Sequence, residues 1–511
     1  MSFLAALILF AVDKMTTMSS LSRLKFIIFL GPLLLLDGCA ANPVTGKQNF
    51  TLMTEAEEIR KGEKAAAQVP ATYGIYGGLP TLQDYVNDIG QKLAKNSHRP
   101  QLHYHFAIVD SPQVNAFALP GGYIYVTRGI LAYLNSEAEL AAVLAHEIGH
   151  VTARHSVRQY SAATAANVAA TIGGVAVGIF APQLGGQVAQ GVQSLLGITG
   201  NVLLSGYGRS HELEADRLGA EYLARSGYDP QAMIKVIRVL KNQELFDIAA
   251  AQDEGREPRR YHGLFSTHPD NDTRLQEVVG EAQQYAQLGP VDDRRANFLH
   301  RTTGMAFGDG VNQGIVRRNR FDHREMGFTL SFPPDWRIRN KPNEVVAISP
   351  DGDALMVLSR FENPSGSPAD LARERLGLGS STDILSMVNN ALPMAVVTAK
   401  TQNGQPFKAG VIYLGENAYL VAGRGDSHIA FERYQPAISR AIESFRALTV
   451  AEKEAIKPLE IKTITATKGM TYAELARESP LGTQAEGYLR LLNGQYPEGE
   501  PVPGQLIKIV K

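Results

Sequence analysis

The spacing of apolar positions changes several times along the chain, and each change marks a boundary. Two apolar runs open it, residues 3–12 and 26–36, with Lys14, Arg23 and Lys25 between them. The second run is 11 residues long, well short of the roughly 20 that span a bilayer but suited to the apolar part of a signal peptide. Met15 or Met18 would each start a more usual signal. Beyond it, Thr54-Glu55-Ala56-Glu57 is a capping box that opens a helix to about residue 68. A second helix is predicted over 81–95. Residues 103–109 alternate and read as a strand, and 115–126 read as strand, Pro-Gly-Gly turn, strand. Ser136-Glu137-Ala138-Glu139 is another capping box. Leu140, Val143, Leu144 and Val151 follow at helical spacing, predicting a helix to about residue 158.

From Gln159 to Gly208 no charged residue occurs, and the stretch is rich in Ala, Gly, Val and Gln. It reads as close-packed helices; a membrane- or substrate-contacting hairpin is the rival reading. Residues 210–245 return to helical spacing, 250–263 read as an exposed loop, and a helix is expected over 272–287. Residues 290–325, rich in Arg, Asp and Gly, read as a linker. After Met326 strands and two helical stretches alternate, predicting an α+β accessory domain over 326–450. A last unit, 459–511, reads strand, helix, helix, strand.

At roughly 150 residues per domain, 511 residues allow two to four domains. Basic and acidic residues number 50 and 51, so the net charge is −1 and nucleic acid is excluded as a partner. Cys39 is the one cysteine, so no intramolecular disulfide forms. It ends the segment Leu36-Asp37-Gly38-Cys39-Ala40-Ala41, which resembles a bacterial lipobox. Residues 1–39 are therefore expected to be a signal peptide whose cysteine becomes a lipid anchor. Ala41, next but one after it, points to the outer membrane. An ordinary cleaved signal, or an uncleaved anchor, with a passive cysteine is the alternative.

The chemistry lies in His146-Glu147-Ile148-Gly149-His150. Histidines four apart on one helix share a face and can converge on one cation, with a glutamate beside them within reach of a metal-bound water. With 12 histidines in the chain, about 0.02 such matches are expected by chance. A hydrolytic zinc site needs a third protein ligand. Glu212 and Asp216, four apart on a predicted helix, supply it best: Glu212 as ligand, Asp216 hydrogen-bonded to a ligand histidine. His211 is the rival ligand. Glu214 is expected to face solvent. His155, five residues past His150, lies off the zinc face of a continuous helix and reads as structural. Taken alone, His268 is a surface histidine.

The chain resembles the zinc metallopeptidase family of the CAAX prenyl protease, HtpX and BepA. The resemblance rests on residues 146–150, on Glu212 with Asp216, on Asn115-Ala116-Phe117-Ala118-Leu119-Pro120-Gly121-Gly122, and on Ser266-Thr267-His268-Pro269 followed by Arg274. Asn42-Pro43-Val44-Thr45-Gly46 resembles lipoprotein members. It implies a mainly α, gluzincin-type domain with a small sheet over 42–289. It implies one Zn2+ held by His146, His150 and Glu212, with Glu147 as general base. His268, with Arg274, then either stabilises an oxyanion or occupies the zinc in a latent state. Residues 459–511 are similar to a βααβ LysM module through Gly469-Met470-Thr471, Leu475-Ala476, Leu491-Leu492-Asn493-Gly494 and Pro503-Gly504-Gln505, which implies peptidoglycan contact or a structural cap.

The whole reads as a multidomain, periplasm-facing, membrane-anchored zinc endopeptidase. Its expected substrates are misfolded or unassembled envelope polypeptides, a protein quality-control role. The alternative from another class is a non-catalytic or latent zinc-binding envelope protein with a chaperone-like or wall-binding role. An intramembrane protease is disfavoured, since several clear membrane spans are absent from the sequence.

Overall fold

The computed structural model describes residues 39–172, 207–253, 292–341, 344–362, 364–401 and 403–511. The signal-like segment up to residue 38, most of the charge-free stretch, the helix expected over 272–287, His268 and Arg274 lie outside the described residues.

Strands β1 (Cys39–Ala41) and β2 (Gln48–Phe50) pair at the start. Helix α1 (Glu55–Ala66) begins at the expected capping box, Thr54 and Glu57 each accepting from the other's backbone N–H. The short α2 (Val69–Tyr73) and then α3 (Pro80–Lys95) follow. The apolar face of α3, Leu82, Val86, Ile89 and Leu93, is fully or nearly fully buried. Strands β3 (His105–Val109), β4 (Ala116–Leu119) and β5 (Tyr123–Thr127) form one sheet in the order β3-β5-β4, with β3 parallel and β4 antiparallel to β5. The outer edge of β3 is capped by a side chain. Gln83 donates to Phe106 O at 2.8 Å and accepts from Ile108 N at 2.9 Å, which satisfies backbone groups an open edge leaves unpaired.

Helix α4 (Arg128–Tyr133) leads into α5 (Glu137–Thr152), every residue of which is buried. Ser136 caps α5 by accepting from Glu139 N. The Glu139 carboxylate accepts from Asn135 N at 2.7 Å, one residue earlier than a standard capping box. Helix α5 stops at Thr152 rather than near residue 158, because Arg154 turns left-handed at φ 55°. Helix α6 (His155–Ile172) starts anew from there, and α7 (Arg209–Arg225) and α8 (Ala232–Asp253) complete the helical layer.

Of residues 290–325, expected as a linker, the described residues 292–325 are built into the fold. Helix α9 (Arg295–Thr302) buries Phe298 and Leu299 completely. Strand β6 (Ala306–Phe307) pairs antiparallel with β18 (Leu459–Thr465), Phe307 opposite Leu459. The accessory domain is thus inserted between two strands that meet. Within it β7 (Ile315–Arg317), β8 (Arg320–His323) and β9 (Phe328–Ser331) form a small sheet with β17 (Arg446–Ala447). Strands β10 (Arg337–Asn340) through β16 (Asn417–Gly425) form a seven-stranded antiparallel sheet. Helix α10 (Pro368–Arg375) and α11 (His428–Glu443) pack on it. Phe328, Trp336, Met356, Val421 and Ile442 belong to its own core.

After α12 (Val450–Ala455) the chain returns to the first domain. Strand β18, α13 (Tyr472–Arg477), α14 (Ala485–Leu492) and β19 (Leu506–Val510) follow the expected strand-helix-helix-strand order, β18 and β19 pairing antiparallel. Ile461, Leu489, Leu492 and Ile507 share one core with Leu140 and Leu144 of α5. The last 50-odd residues therefore stabilise the helix that carries the histidine motif.

Candidate metal centre

On α5, His146 and His150 stand one turn apart with their Nε2 atoms 3.0 Å from each other. Helix α7 crosses α5 and brings Glu212 to the same point. Its Oε2 lies 3.6 Å from His146 Nε2 and its Oε1 3.5 Å from His150 Nε2. All three side chains are buried, as is Glu147. For donors about 2.0–2.1 Å from a tetrahedral zinc, neighbouring donors lie about 3.3 Å apart, and the three separations bracket that value. Two imidazole lone pairs and a carboxylate so close repel one another unless a cation sits among them. This is the one group among the described residues that could hold a metal ion.

Two glycines let the helices approach. A Cβ on Gly149 would sit 2.9 Å from Ala215 O, and one on Gly219 would sit 3.2 Å from His146 N. Without side chains there, α7 lies close enough for the short Glu212 side chain to reach both histidines.

The outer nitrogens of the two histidines are held differently. His146 Nδ1 is 2.8 Å from Asp216 Oδ1, the contact expected from the four-residue spacing. His150 Nδ1 is 2.8 Å from His155 Nδ1. The left-handed turn at Arg154, not a continuous helix, folds His155 back onto His150. Arg154 is fixed in that turn by Glu58 Oε2, 2.8 Å from its Nε, and by Met53 O. His155 Nε2 in turn lies 3.1 Å from Glu214 Oε2, which also accepts from Arg158 at 2.7 Å. Glu214, expected to face solvent, is therefore a partner of His155. Burial pushes its carboxyl up, but the hydrogen bonds and charge of these neighbours hold it at about 2. Burial pushes the His155 imidazole down and so keeps it neutral.

His211, the rival ligand, is not in the metal group. Its ring stacks on His155 at 4.4 Å, and burial pushes it down to about 4. Tyr207, which the sequence reading passed over in an uncharged run, stacks on His150 at 4.1 Å and 17°, its hydroxyl 2.7 Å from Ser156 Oγ.

Residues 80–282 match Peptidase family M48. The chain carries an M48 peptidase domain over those residues, which hold His146, His150 and Glu212. The beta-barrel assembly-enhancing protease of Escherichia coli K12 is 29% identical over 423 residues, covering 77% of this chain and 79% of that protein. Its counterpart from Yersinia pestis is 32% identical over 250 residues, 47% of each. The mitochondrial metalloendopeptidase OMA1 of Schizosaccharomyces pombe is 27% identical over 266 residues, 52% of this chain and 71% of that one. As an M48 peptidase the chain is a zinc-dependent endopeptidase, and His146, His150 and Glu212 are the buried group that fits its metal.

Proposed function

We propose that this M48 peptidase hydrolyses peptide bonds of misfolded or unassembled envelope proteins, with Glu147 as general base and His146, His150 and Glu212 as zinc ligands. The observation that carries the reading is the convergence of those three donors beside Glu147 on one buried helix. Zinc held there would lower the pKa of a bound water towards about 7 and act as a Lewis acid for the scissile carbonyl. Glu147 is the carboxylate placed to take a proton from the attacking water and to pass it to the leaving amine. Asp216, 2.8 Å from His146 Nδ1, accepts a hydrogen bond from that nitrogen and so leaves Nε2 free to face a metal. His268, with Arg274, is proposed either to stabilise the oxyanion or to occupy the zinc in a latent state. Strand β4 has β5 on one side only, and its other edge is where an extended polypeptide would pair.

The likeness to the beta-barrel assembly-enhancing proteases supports polypeptides of outer-membrane assembly as substrates. A periplasmic location, with a lipid or signal anchor at Cys39, is proposed from the same likeness and from the lipobox-like segment. Among the described residues no helix is long and apolar enough to cross a membrane. For 459–511 we favour the structural role over peptidoglycan contact, because its apolar residues lie in the peptidase core.

A second reading, a latent resting state, is favoured by burial. His146 is 7% exposed, Glu147 1%, His150 2% and Glu212 0%, and every residue of β4 is buried. Casein cleavage by the wild type and by His268→Ala separates the two. Activity in the wild type supports an open enzyme. Activity gained only in the variant supports latency, and silence in both favours the zinc-binding, chaperone-like alternative.

A further inference from the structure

We propose that His155 and Glu214 are positioning residues for the metal centre: His155 sets the tautomer and ring plane of His150, and Glu214 sets those of His155. The proposal rests on the reading of His146, His150 and Glu212 as zinc ligands.

The order of donors and acceptors follows from the far end. Arg158 has only protons to give, so the Glu214 carboxylate it contacts at 2.7 Å is an acceptor. Glu214 can then take one further hydrogen bond only from a protonated nitrogen, and the nitrogen 3.1 Å away is His155 Nε2. A neutral imidazole protonated at Nε2 has a bare Nδ1. That bare Nδ1 lies 2.8 Å from His150 Nδ1, so His150 carries its proton on Nδ1 and offers the Nε2 lone pair to the metal. A His150 that ligates through Nε2 carries its proton on Nδ1, and the chain His155, Glu214, Arg158 is laid out to receive it: His155 Nδ1 accepts from His150, and His155 Nε2 donates to Glu214. Asp216 does the same for His146 in a single step. Both ring nitrogens of His155 are engaged, so it is not itself a ligand.

Packing alone does not account for the arrangement. The His155 ring stacks on His211 at 4.4 Å and 19° and meets His150 edge-on at 4.9 Å, contacts that another flat ring would also make. A phenylalanine there would keep the stack and lose both hydrogen bonds. An asparagine would keep an acceptor near the Nδ1 position and lose the link to Glu214.

The test is the zinc dissociation constant of the purified full-length chain, measured by competition with a chromogenic chelator, beside the melting temperature of the zinc-free protein. His155→Phe is expected to bind zinc about 10–100-fold more weakly than wild type, with a zinc-free melting temperature close to that of the wild type. His155→Asn should recover part of the loss, and Glu214→Gln should show a smaller loss in the same direction. Wild-type zinc affinity in His155→Phe, with one zinc per wild-type chain, would overturn the proposal and leave the metal centre standing. No zinc bound by the wild type would overturn the metal-centre reading and this inference together. If His155→Phe does not fold, Glu214→Gln decides: a several-fold loss supports the relay, and unchanged affinity overturns it.

Discussion

Lys508, on the last strand of the chain, donates to Leu134 O at 2.7 Å and to Ala132 O at 2.6 Å. Those carbonyls end α4, just ahead of the helix that carries His146 and His150. The ammonium is completely buried. Burial pushes its pKa well down, and the nearby Glu139 works against that shift. Lys508→Met keeps the apolar stem and removes the donors. Two buried carbonyls then lose their donor, a loss of about 1–3 kcal/mol. Thermal unfolding should show a lower melting temperature, and cleavage activity should be lost at correspondingly lower temperature. An unchanged melting temperature would mean that β19 does not brace the active-site helix.

Gly149 sits where α5 meets α7, inside the histidine motif. Gly149→Ala would place a methyl 2.9 Å from Ala215 O, a backbone atom that moves only with its helix. The variant should destabilise the protein by about 1–3 kcal/mol. Because Glu212 rides on the displaced helix, it should also weaken zinc binding, read by chelator competition. Full stability and affinity together would show that the close crossing is not what places Glu212.

His323 offers a pH test away from the metal. Burial, with Arg360 adding to it, pushes its imidazole down to about 4, and its Nδ1 accepts from Met326 N at 3.2 Å. Its unfolded pKa is about 6.5, so the folded value is the depressed one. The stability tied to the neutral ring is therefore complete above about pH 6.5 and is lost as pH falls towards 4, by up to about 3 kcal/mol. In urea unfolding, the advantage of wild type over His323→Gln should shrink across that window. A constant difference from pH 7 to 4.5 would contradict it.

Much of the site was legible because its signals are local. Capping boxes and period placed α1 and α5, and four-residue spacing paired His146 with His150 and Glu212 with Asp216. His155 was expected off the zinc face because a helix continuous through Arg154 would put it there. Arginine seldom adopts φ 55°, and Glu58 and Met53, both distant in sequence, hold its side chain there. Glu214 was misplaced for the same reason, since its partner was expected elsewhere. The stretch 290–325 looked like a linker from its Arg, Asp and Gly content. Two buried residues, Phe298 and Leu299, and the pairing of Phe307 with Leu459 make it part of the core, and such long-range pairing leaves no local pattern. The separate module expected at 459–511 has the predicted element order but shares its core with the peptidase helices.

The most direct test of the account is casein cleavage by the wild type and by Glu147→Gln, with zinc quantified in both. The glutamine keeps the shape of the side chain and cannot accept the water's proton. The account predicts about one zinc per chain in each protein, cleavage by the wild type that a chelator abolishes, and cleavage lost by several orders of magnitude in the variant. Wild-type cleavage by Glu147→Gln would contradict it.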